Sequence, residues 1–252
     1  MTQSLPLLFY VTPPEPCAYL PAREAVNVFA DPRARMNTTL YGRLVDKGFR
    51  RSGSHLYRPQ CPGCSACVPT RIPVAHFEPD RSQRRNRRIN QDLTAAILPQ
   101  AYRSEHFALY RRYQRMRHTG GEMDNPTPQS YFDFLSCAWA DTLFVEFRFN
   151  GALLSVAVCD RLKEGLSAVY TFFDPQQARR GLGTHAILWQ IEETRRRGLD
   201  YVYLGYWIAG NRKMSYKTRF RPIEGLINGR WRRLDAPVGA PFQRRDADDR
   251  NL

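Results

Sequence analysis

The fold is decided by three apolar segments that follow one another closely, TLFVEFRF (142–149), ALLSVAVCDRL (152–162) and LSAVYTFF (166–173). The first two flank Asn150-Gly151, and Asn-Gly between apolar runs is the strongest short signal for a two-residue hairpin turn. The third segment stops at Asp174-Pro175, a dipeptide that is typical of turns. The sequence therefore predicts three consecutive antiparallel strands.

A glycine-containing turn, a helix and a fourth strand come next. They are ARRGLGT (178–184), THAILWQIEETRRRG (184–198) and YVYLGYWI (201–208). A strand, a helix and a second strand in this order form a parallel crossover. We therefore predict an α+β fold with a mixed, mostly antiparallel sheet and flanking helices. Its order of elements resembles the acyl-CoA N-acyltransferase (GNAT) core.

We expect two domains and a tail. Residues 1–100 are rich in loops and prolines and are predicted to form a smaller N-terminal domain that carries most of the cysteines. Residues 101–235 hold the GNAT-like core. Residues 236–252 are polar and are expected to be loose, as chain ends often are.

Two more helices are predicted from local patterns. One covers residues 38–47 and ends at Gly48, a residue suited to a helix C-terminus. The other begins near Ser104, a candidate N-cap, and carries apolar or aromatic residues at positions 107, 110, 113 and 116.

The charge balance points to an anionic partner. The chain has 252 residues, with 38 Lys and Arg against 24 Asp and Glu, a formal net charge of +14. Such an excess attracts polyanions such as nucleic acid. Most of the basic residues are arginines, whose planar guanidinium suits phosphate. The alternative, charge that serves only solubility, explains scattered arginines better than clustered ones.

The apolar residues exclude membrane insertion and secretion. No run of about 18 apolar residues is present, which argues against a transmembrane helix. The N-terminus MTQSLPLLFYVTPPEP lacks a basic start, and prolines interrupt its apolar stretch, so it does not have the pattern of a signal peptide. We therefore expect a cytoplasmic protein with reduced or metal-bound cysteines.

A cluster of arginines forms the first candidate site. Arg81, Arg84, Arg85 and Arg88 lie at i, i+3, i+4 and i+7, so a helix would place all four on one face, with Arg87 beside it. Like charges this close repel one another unless an anion is bound. The alternative is a solvated helix face.

Four cysteines form the second candidate site. Cys61, Cys64 and Cys67 are separated by two residues each. That spacing suits a zinc ion or an iron–sulfur cluster, and Cys17 would complete four ligands. The alternative is a set of reduced thiols in a proline-rich loop.

Three stretches of the chain resemble the arginyl-tRNA–protein transferase family. They are CPGCSACVPTRIPVAHFEPDRSQRRNRRIN (61–90), YTFFDPQQARRGLGTHAILWQIE (170–192) and YVYLGYWIAGNRKMSYKTRFRPIEGL (201–226). Within the family they are most similar to the bacterial branch that transfers leucine to N-terminal aspartate or glutamate. The resemblance implies an aminoacyl-tRNA donor, no cofactor required for transfer, and a product marked for degradation by the N-end rule pathway.

The resemblance also implies roles for particular residues. Tyr170 and Asp174 are expected to position the reacting amine, and the alternative for Asp174 is a cap or turn residue. The basic residues and tyrosine of the third stretch are expected to receive the acidic acceptor: Lys213, Tyr216, Lys217 and Arg219. The alternatives for this stretch are a site for the terminal phosphates of tRNA and a basic surface helix with no catalytic part. The tRNA is expected to contact the arginine cluster and the glycine turn, where a helix N-terminus favours phosphate: Arg81, Arg84, Arg85, Arg87, Arg88, Arg179, Arg180, Gly181 and Gly183.

Two alternatives for the reaction remain at this stage. The donor could be arginyl-tRNA rather than leucyl-tRNA, since no donor pocket can be derived from the residues. The chain could also be an acetyl-CoA-dependent GNAT enzyme. The residue three positions before Gly181 is Ala178, where the acetyl-CoA-binding pattern has glutamine or arginine.

Overall fold

The structure is a computed structural model that describes residues 6–117 and 125–234. The described helices are α1 (Thr38–Asp46), α2 (Arg81–Ile89), α3 (Ser104–Arg117), α4 (Pro128–Leu135) and α5 (Leu182–Arg196), with short 3-10 helices at Val74–His76, Pro175–Arg180 and Ser215–Arg219. The predicted tail, residues 236–252, lies outside the described residues.

The strands form one large sheet, one small sheet and a two-stranded ribbon. They are β1 (Phe9–Val11), β2 (Glu15–Pro16), β3 (Glu24–Ala25), β4 (Asn27–Ala30), β5 (Arg50–Ser52), β6 (His55–Pro59), β7 (Val68–Pro73), β8 (Thr94–Pro99), β9 (Asp141–Phe149), β10 (Ala152–Arg161), β11 (Gly165–Phe173), β12 (Tyr201–Trp207), β13 (Glu224–Ile227) and β14 (Arg230–Arg233). The large sheet has the order β14-β13-β7-β12-β11-β10-β9-β8, and the small sheet has the order β1-β4-β6-β5.

The predicted core order is confirmed. β9, β10 and β11 are antiparallel neighbours, and β11 connects through α5 to the parallel strand β12. The hairpin turn has positive φ at both Asn150 and Gly151, the backbone that a type I′ turn requires. The fold is therefore mixed α/β with a large, mostly antiparallel sheet and flanking helices.

The large sheet crosses the boundary that was predicted near residue 100. β7 pairs with β12 and β13, and β8 pairs with β9. Both strands come from the first hundred residues, so the sheet contains strands from both predicted segments. The division of the chain into two domains stays a prediction.

Helices cover both faces of the large sheet. On one face, Leu188 and Ile191 of α5 pack with Val202 and Leu204 of β12. On the other, Tyr110 of α3 and Tyr131 of α4 pack against Phe172 of β11, with ring centroids 5.4 and 6.1 Å away. Burial of these apolar side chains is the main favourable contribution to folding.

Helix α3 buries a face that only partly matches the predicted one. Tyr110 and Tyr113 of the expected stripe are buried, whereas Met116 is 66% exposed. His106 and Gln114 are also buried, and the spacing of the four buried residues is close to 3.6 residues per turn. The predicted positions were spaced by three residues, and such a series moves gradually around an α-helix. His106 and Gln114 are polar, so a search for apolar residues did not find them.

Candidate active site

A cleft opens between the two parallel strands of the large sheet. β11 and β12 pair only from Gly165–Tyr201 to Ser167–Tyr203, and both strands then continue without pairing to each other. Backbone groups beyond the last pair need other partners or a ligand. The elements around this opening are β5, α3 and the 3-10 helix Ser215–Arg219.

Arg50 of β5 reaches into the opening. Its Nη2 donates a hydrogen bond of 3.4 Å to the carbonyl oxygen of Ala168 on β11. Its guanidinium also lies against Gly205 of β12, where any Cβ would overlap it. Gly205 has a φ of 73°, so this position needs glycine for its backbone as well as for space.

Lys217 approaches the same opening from the opposite side. Its side chain is buried, and Nζ donates a hydrogen bond to the carbonyl oxygen of Tyr206 on β12. Burial lowers the pKa of Lys217 well below its ordinary value, and the nearby positive charge of Arg50 lowers it further. Within residues 6–117 and 125–234, no carboxylate forms an ion pair with either cation.

The other predicted acceptor residues surround Lys217 at the surface. Lys213 and Arg219 are exposed, and Tyr216 is 41% exposed. Lys213 and Lys217 are four positions apart, a spacing that would place both on one face of an α-helix. The structure has instead a 3-10 helix that begins at Ser215, after Lys213. This short helix is followed by a cis peptide bond between Arg221 and Pro222.

Tyr170 lies among aromatic rings beneath α3. Its hydroxyl accepts a hydrogen bond of 3.2 Å from Nε2 of Gln114. Its ring contacts Tyr113 edge-on, with 6.3 Å between the centroids, and Phe134 at 5.3 Å. Gln114 is fully buried, and its Oε1 has no hydrogen-bond partner in the described part of the chain.

Asp174 lies at the start of the 3-10 helix Pro175–Arg180. Its carboxylate accepts a hydrogen bond of 3.0 Å from the backbone N–H of Gln176, so it serves as the cap of that helix. A capping role is what an Asp-Pro turn predicts.

The predicted arginine helix is confirmed as α2. Asp80 and Gln83 form a capping box at its start, which satisfies two backbone donors. Four arginines lie on the exposed face: Arg81, Arg84, Arg85 and Arg88. The opposite face carries Gln83 and Asn90, which are buried, and Asn86, which is half-buried.

Two asparagines fasten α2 to the glycine turn. Nδ2 of Asn86 donates to the carbonyl oxygens of Arg180 and Gly181, at 2.9 and 3.1 Å. Nδ2 of Asn90 donates to the same Arg180 oxygen at 2.7 Å. A Cβ at Gly181 would lie 2.7 Å from Asn86, and Gly181 has a φ of 59°. The glycine turn is therefore fixed against the side of α2 that faces away from these four arginines.

The arginines of this surface differ in what they contact. Arg87 pairs with Glu192 at 2.5 Å, and Arg180 pairs with Asp92 at 2.8 Å while it stacks on Phe149. The charges of Arg87 and Arg180 are therefore already balanced by acidic residues of the same chain. Five others are exposed and form no ion pair among the described residues: Arg81, Arg84, Arg85, Arg88 and Arg179. Gly183 lies in the first turn of α5, where an added Cβ would be 3.5 Å from the ring of Phe173.

The four N-terminal cysteines lie near one another as free thiols. Burial, together with the nearby thiols of Cys61, Cys17 and Cys64, raises the pKa of Cys67 to about 12. Cys61 is hydrogen-bonded to the backbone of Val26. In the part of the chain that the structure describes, no three His, Cys, Asp or Glu side chains are arranged to hold a metal ion. The metal site at these four cysteines therefore stays a prediction.

Two family patterns match most of the chain. Residues 15–85 match the pattern described as arginine-tRNA-protein transferase, N terminus, and residues 105–227 match its C terminus. The chain belongs to the arginine-tRNA-protein transferase family. As a member of this family it is a transferase. None of the helices in the described residues is long and apolar enough to cross a membrane.

Relatives in this family carry a more specific name. Proteins named aspartate/glutamate leucyltransferase are 53% identical in Nitrosococcus oceani, 52% in Hahella chejuensis and 52% in Pseudomonas putida. The matches cover 88, 89 and 92% of this chain and 94, 96 and 98% of the relatives. Among solved structures, L-PGS from Bacillus licheniformis aligns with a TM-score of 0.44 and 10% identity, covering 56% of this chain and 45% of its own.

Sequence reasoning about this transferase missed three residues of the cleft. Arg50 precedes another arginine on a short strand, where neighbours point to opposite faces, and the sequence does not say which one faces a site. Gly205 interrupts a strand of aromatic residues, a pattern that indicates close backbone approach. Gln114 had no signal, because a polar residue on a helix is normally placed at the surface.

Proposed function

We propose that this chain transfers leucine from leucyl-tRNA to the N-terminal amine of proteins that begin with aspartate or glutamate. The observation that supports this most is that about half of the aligned residues are identical to those of aspartate/glutamate leucyltransferases, over nearly the whole length of those proteins. The product would carry an N-terminal leucine and enter the N-end rule pathway of degradation.

The reaction needs no strong base. The donor is an ester, and the acceptor is an α-amine with a pKa of about 8, so a useful fraction is neutral near pH 7. The amine nitrogen forms a bond to the ester carbonyl carbon, the bond from that carbon to the ribose oxygen breaks, and the amine proton passes to the ribose oxygen. Holding the two reactants in line and stabilising the oxyanion supply the catalysis.

The cleft between β11 and β12 provides groups for these tasks. Tyr170 and Asp174 lie on β11 and at its end, where they position the amine. Backbone N–H groups along the unpaired part of the strands donate hydrogen bonds to the oxyanion. Lys217 and Tyr216 line the acceptor side, with Lys213 and Arg219 at the exposed rim. No metal or other cofactor has a step in this scheme.

The donor binds on the surface formed by α2 and the glycine turn. Exposed arginines without internal partners retain their full attraction for phosphate. The N-terminus of α5 at Gly181 and Gly183 adds backbone N–H groups and a positive dipole end. This surface lies next to β11 because Asn86 and Asn90 hold the turn that follows this strand.

One transfer assay tests the reaction. Labelled leucyl-tRNA is incubated with purified protein and peptides that begin with Asp, Glu or Ala, with arginyl-tRNA in a parallel reaction. We expect label from leucyl-tRNA on the Asp and Glu peptides and little on the Ala peptide. Label only from arginyl-tRNA would overturn the donor assignment, and no label from either would overturn the function.

The tRNA surface gives a second prediction. Changing Arg84, Arg85 and Arg88 together to alanine should weaken tRNA binding. The plot of the logarithm of the binding constant against the logarithm of the salt concentration should become less steep, by the equivalent of up to about three phosphate contacts. Binding is measured by fluorescence anisotropy at several salt concentrations. A matched variant with alanine at Arg43, Arg230 and Arg232, which are exposed elsewhere, loses the same net charge. Equal losses in both variants would show a general charge effect instead.

A further inference from the structure

Two cations lie in the cleft without an acidic partner. Arg50 and Lys217 come from opposite sides, and each donates a hydrogen bond to a carbonyl oxygen of one of the two separated strands, Ala168 on β11 and Tyr206 on β12. Most cations that are buried in proteins have a carboxylate nearby, because an unpaired buried charge is costly. Here none of the described residues supplies one.

Arg50 lies close to Tyr206 and Lys217 in the cleft. Its guanidinium lies 5.8 Å from the ring centroid of Tyr206. Burial raises the pKa of Tyr206, and the charge of Arg50 opposes that rise. Burial is also the main cause of the lowered pKa of Lys217, with Arg50 as the second cause. The unbalanced positive charge is therefore concentrated where the two strands separate.

We propose that Arg50 recognises the side-chain carboxylate of the acceptor's first residue, with Lys217 completing the anion site. This inference rests on the proposed function and names the specificity residue of the same cleft. A guanidinium matches both oxygens of a carboxylate. An acceptor that begins with asparagine or glutamine has the same shape but leaves both cations unbalanced, and sites of this kind reject such analogues strongly.

The surroundings favour a carboxylate over a tRNA phosphate. Arg50 is only half-exposed, Lys217 and Tyr206 are buried, and Gly205 is covered by the guanidinium. A space of this kind admits a short side chain more easily than a polymer backbone. The arginines of α2, in contrast, are exposed and suited to phosphates.

The experiment compares acceptor peptides that differ only in charge. For the wild type and Arg50→Gln, kcat/KM is measured with peptides that begin with Asp, Asn, Glu and Gln. We expect the Asp/Asn ratio to fall by about 30-fold or more in the variant, because the loss of one partner of a desolvated charge pair has effects of this size. Arg50→Lys should restore part of the ratio, since it returns the charge without the planar fork.

A matched control variant and a direct binding measurement separate the role of Arg50 from other effects of the substitution. Arg58 lies on the neighbouring strand β6 and contacts Lys47 and Gln60, so Arg58→Gln should leave the ratio unchanged. Direct binding of Asp and Asn peptides in the absence of tRNA should show the same preference in the wild type and its loss in Arg50→Gln. This preference can be measured even if no leucine is transferred, so failure of the proposed function is distinguishable from failure of the inference.

Two results would overturn the inference. One is an equal loss of kcat/KM for the Asp and Asn peptides, which would make Arg50 a structural residue. The other is weakened leucyl-tRNA binding with an unchanged Asp/Asn ratio, which would assign the anion site to a phosphate. Thermal unfolding of each variant establishes that the compared proteins are folded.

Discussion

Replacing Asp160 with asparagine is expected to lower the free energy of unfolding by about 3 to 5 kcal/mol, because it leaves a fully buried arginine without its counter-charge. Arg51 and Asp160 are both inaccessible to solvent and are joined by hydrogen bonds of 2.7 and 2.8 Å. The hydroxyls of Tyr41 and Thr142 also donate to this carboxylate, each at 2.7 Å. The free energy of unfolding is measured by chemical denaturation.

The matched control for this change lies on the next strand of the same sheet. Asp141 pairs with Arg161 at the surface, with side chains 35 and 50% exposed, and exposed pairs contribute about 1 kcal/mol or less. Asp141→Asn should therefore cost far less than Asp160→Asn. Similar losses in the two variants would contradict the importance given to the buried pair.

The same ion pair has a consequence for the cleft. Arg51 and Arg50 are neighbours on β5, and the pair with Asp160 fixes this strand against β10 of the large sheet. The alternation of side chains along a strand then directs Arg50 to the other side, toward Gly205. Damage to the pair should therefore also reduce the acceptor preference of any variant that remains folded.

Replacing Lys217 with methionine is expected to stabilise the protein while it damages the reaction. Methionine fills a similar volume without charge, and removal of a poorly compensated buried charge often stabilises a protein by about 1 to 4 kcal/mol. The lost hydrogen bond to Tyr206 offsets part of this gain, so we expect about 1 to 2 kcal/mol and a Tm higher by about 2 to 6 °C. The value of kcat/KM with an Asp peptide should fall by about 30-fold or more.

The sign of the pH dependence follows from the lowered pKa of Lys217. The unfolded chain binds the lysine proton more tightly than the folded protein does, so wild-type stability increases as pH rises toward the ordinary lysine pKa. The advantage of Lys217→Met should therefore shrink in the same direction. The Tm values of the wild type and of Lys217→Met, measured over a series of pH values, test this expected change in the stability difference.

An exposed lysine provides the control. The side chain of Lys163 is 82% exposed, so Lys163→Met should change stability by no more than about 0.5 kcal/mol and leave kcat/KM unchanged. A lower Tm for Lys217→Met, or an undiminished rate with the Asp peptide, would contradict the role given to Lys217.

Short-range patterns predicted the central part of the fold. Asn150-Gly151 sets the hairpin, Gly198 ends α5, and the arginine-rich stretch forms α2, because turn geometry, helix capping and helix periodicity depend on neighbouring residues. The strands β7 and β8 were not predicted in the large sheet. Their partners lie far away in the chain, and no local pattern specifies such pairing.

The candidate site divides in the same way. Charge, arginine spacing and the resemblance of three stretches were present in the sequence itself, and they led to an aminoacyl-tRNA–protein transferase with a basic surface. Which cations face the cleft was decided only by the tertiary structure. Arg50 and Lys217 are 167 positions apart. They come near the same opening because β5 is fixed to β10 by a buried ion pair while β11 and β12 separate after three residue pairs. Long-range packing brings them together, so residue types and local spacing could not reveal it.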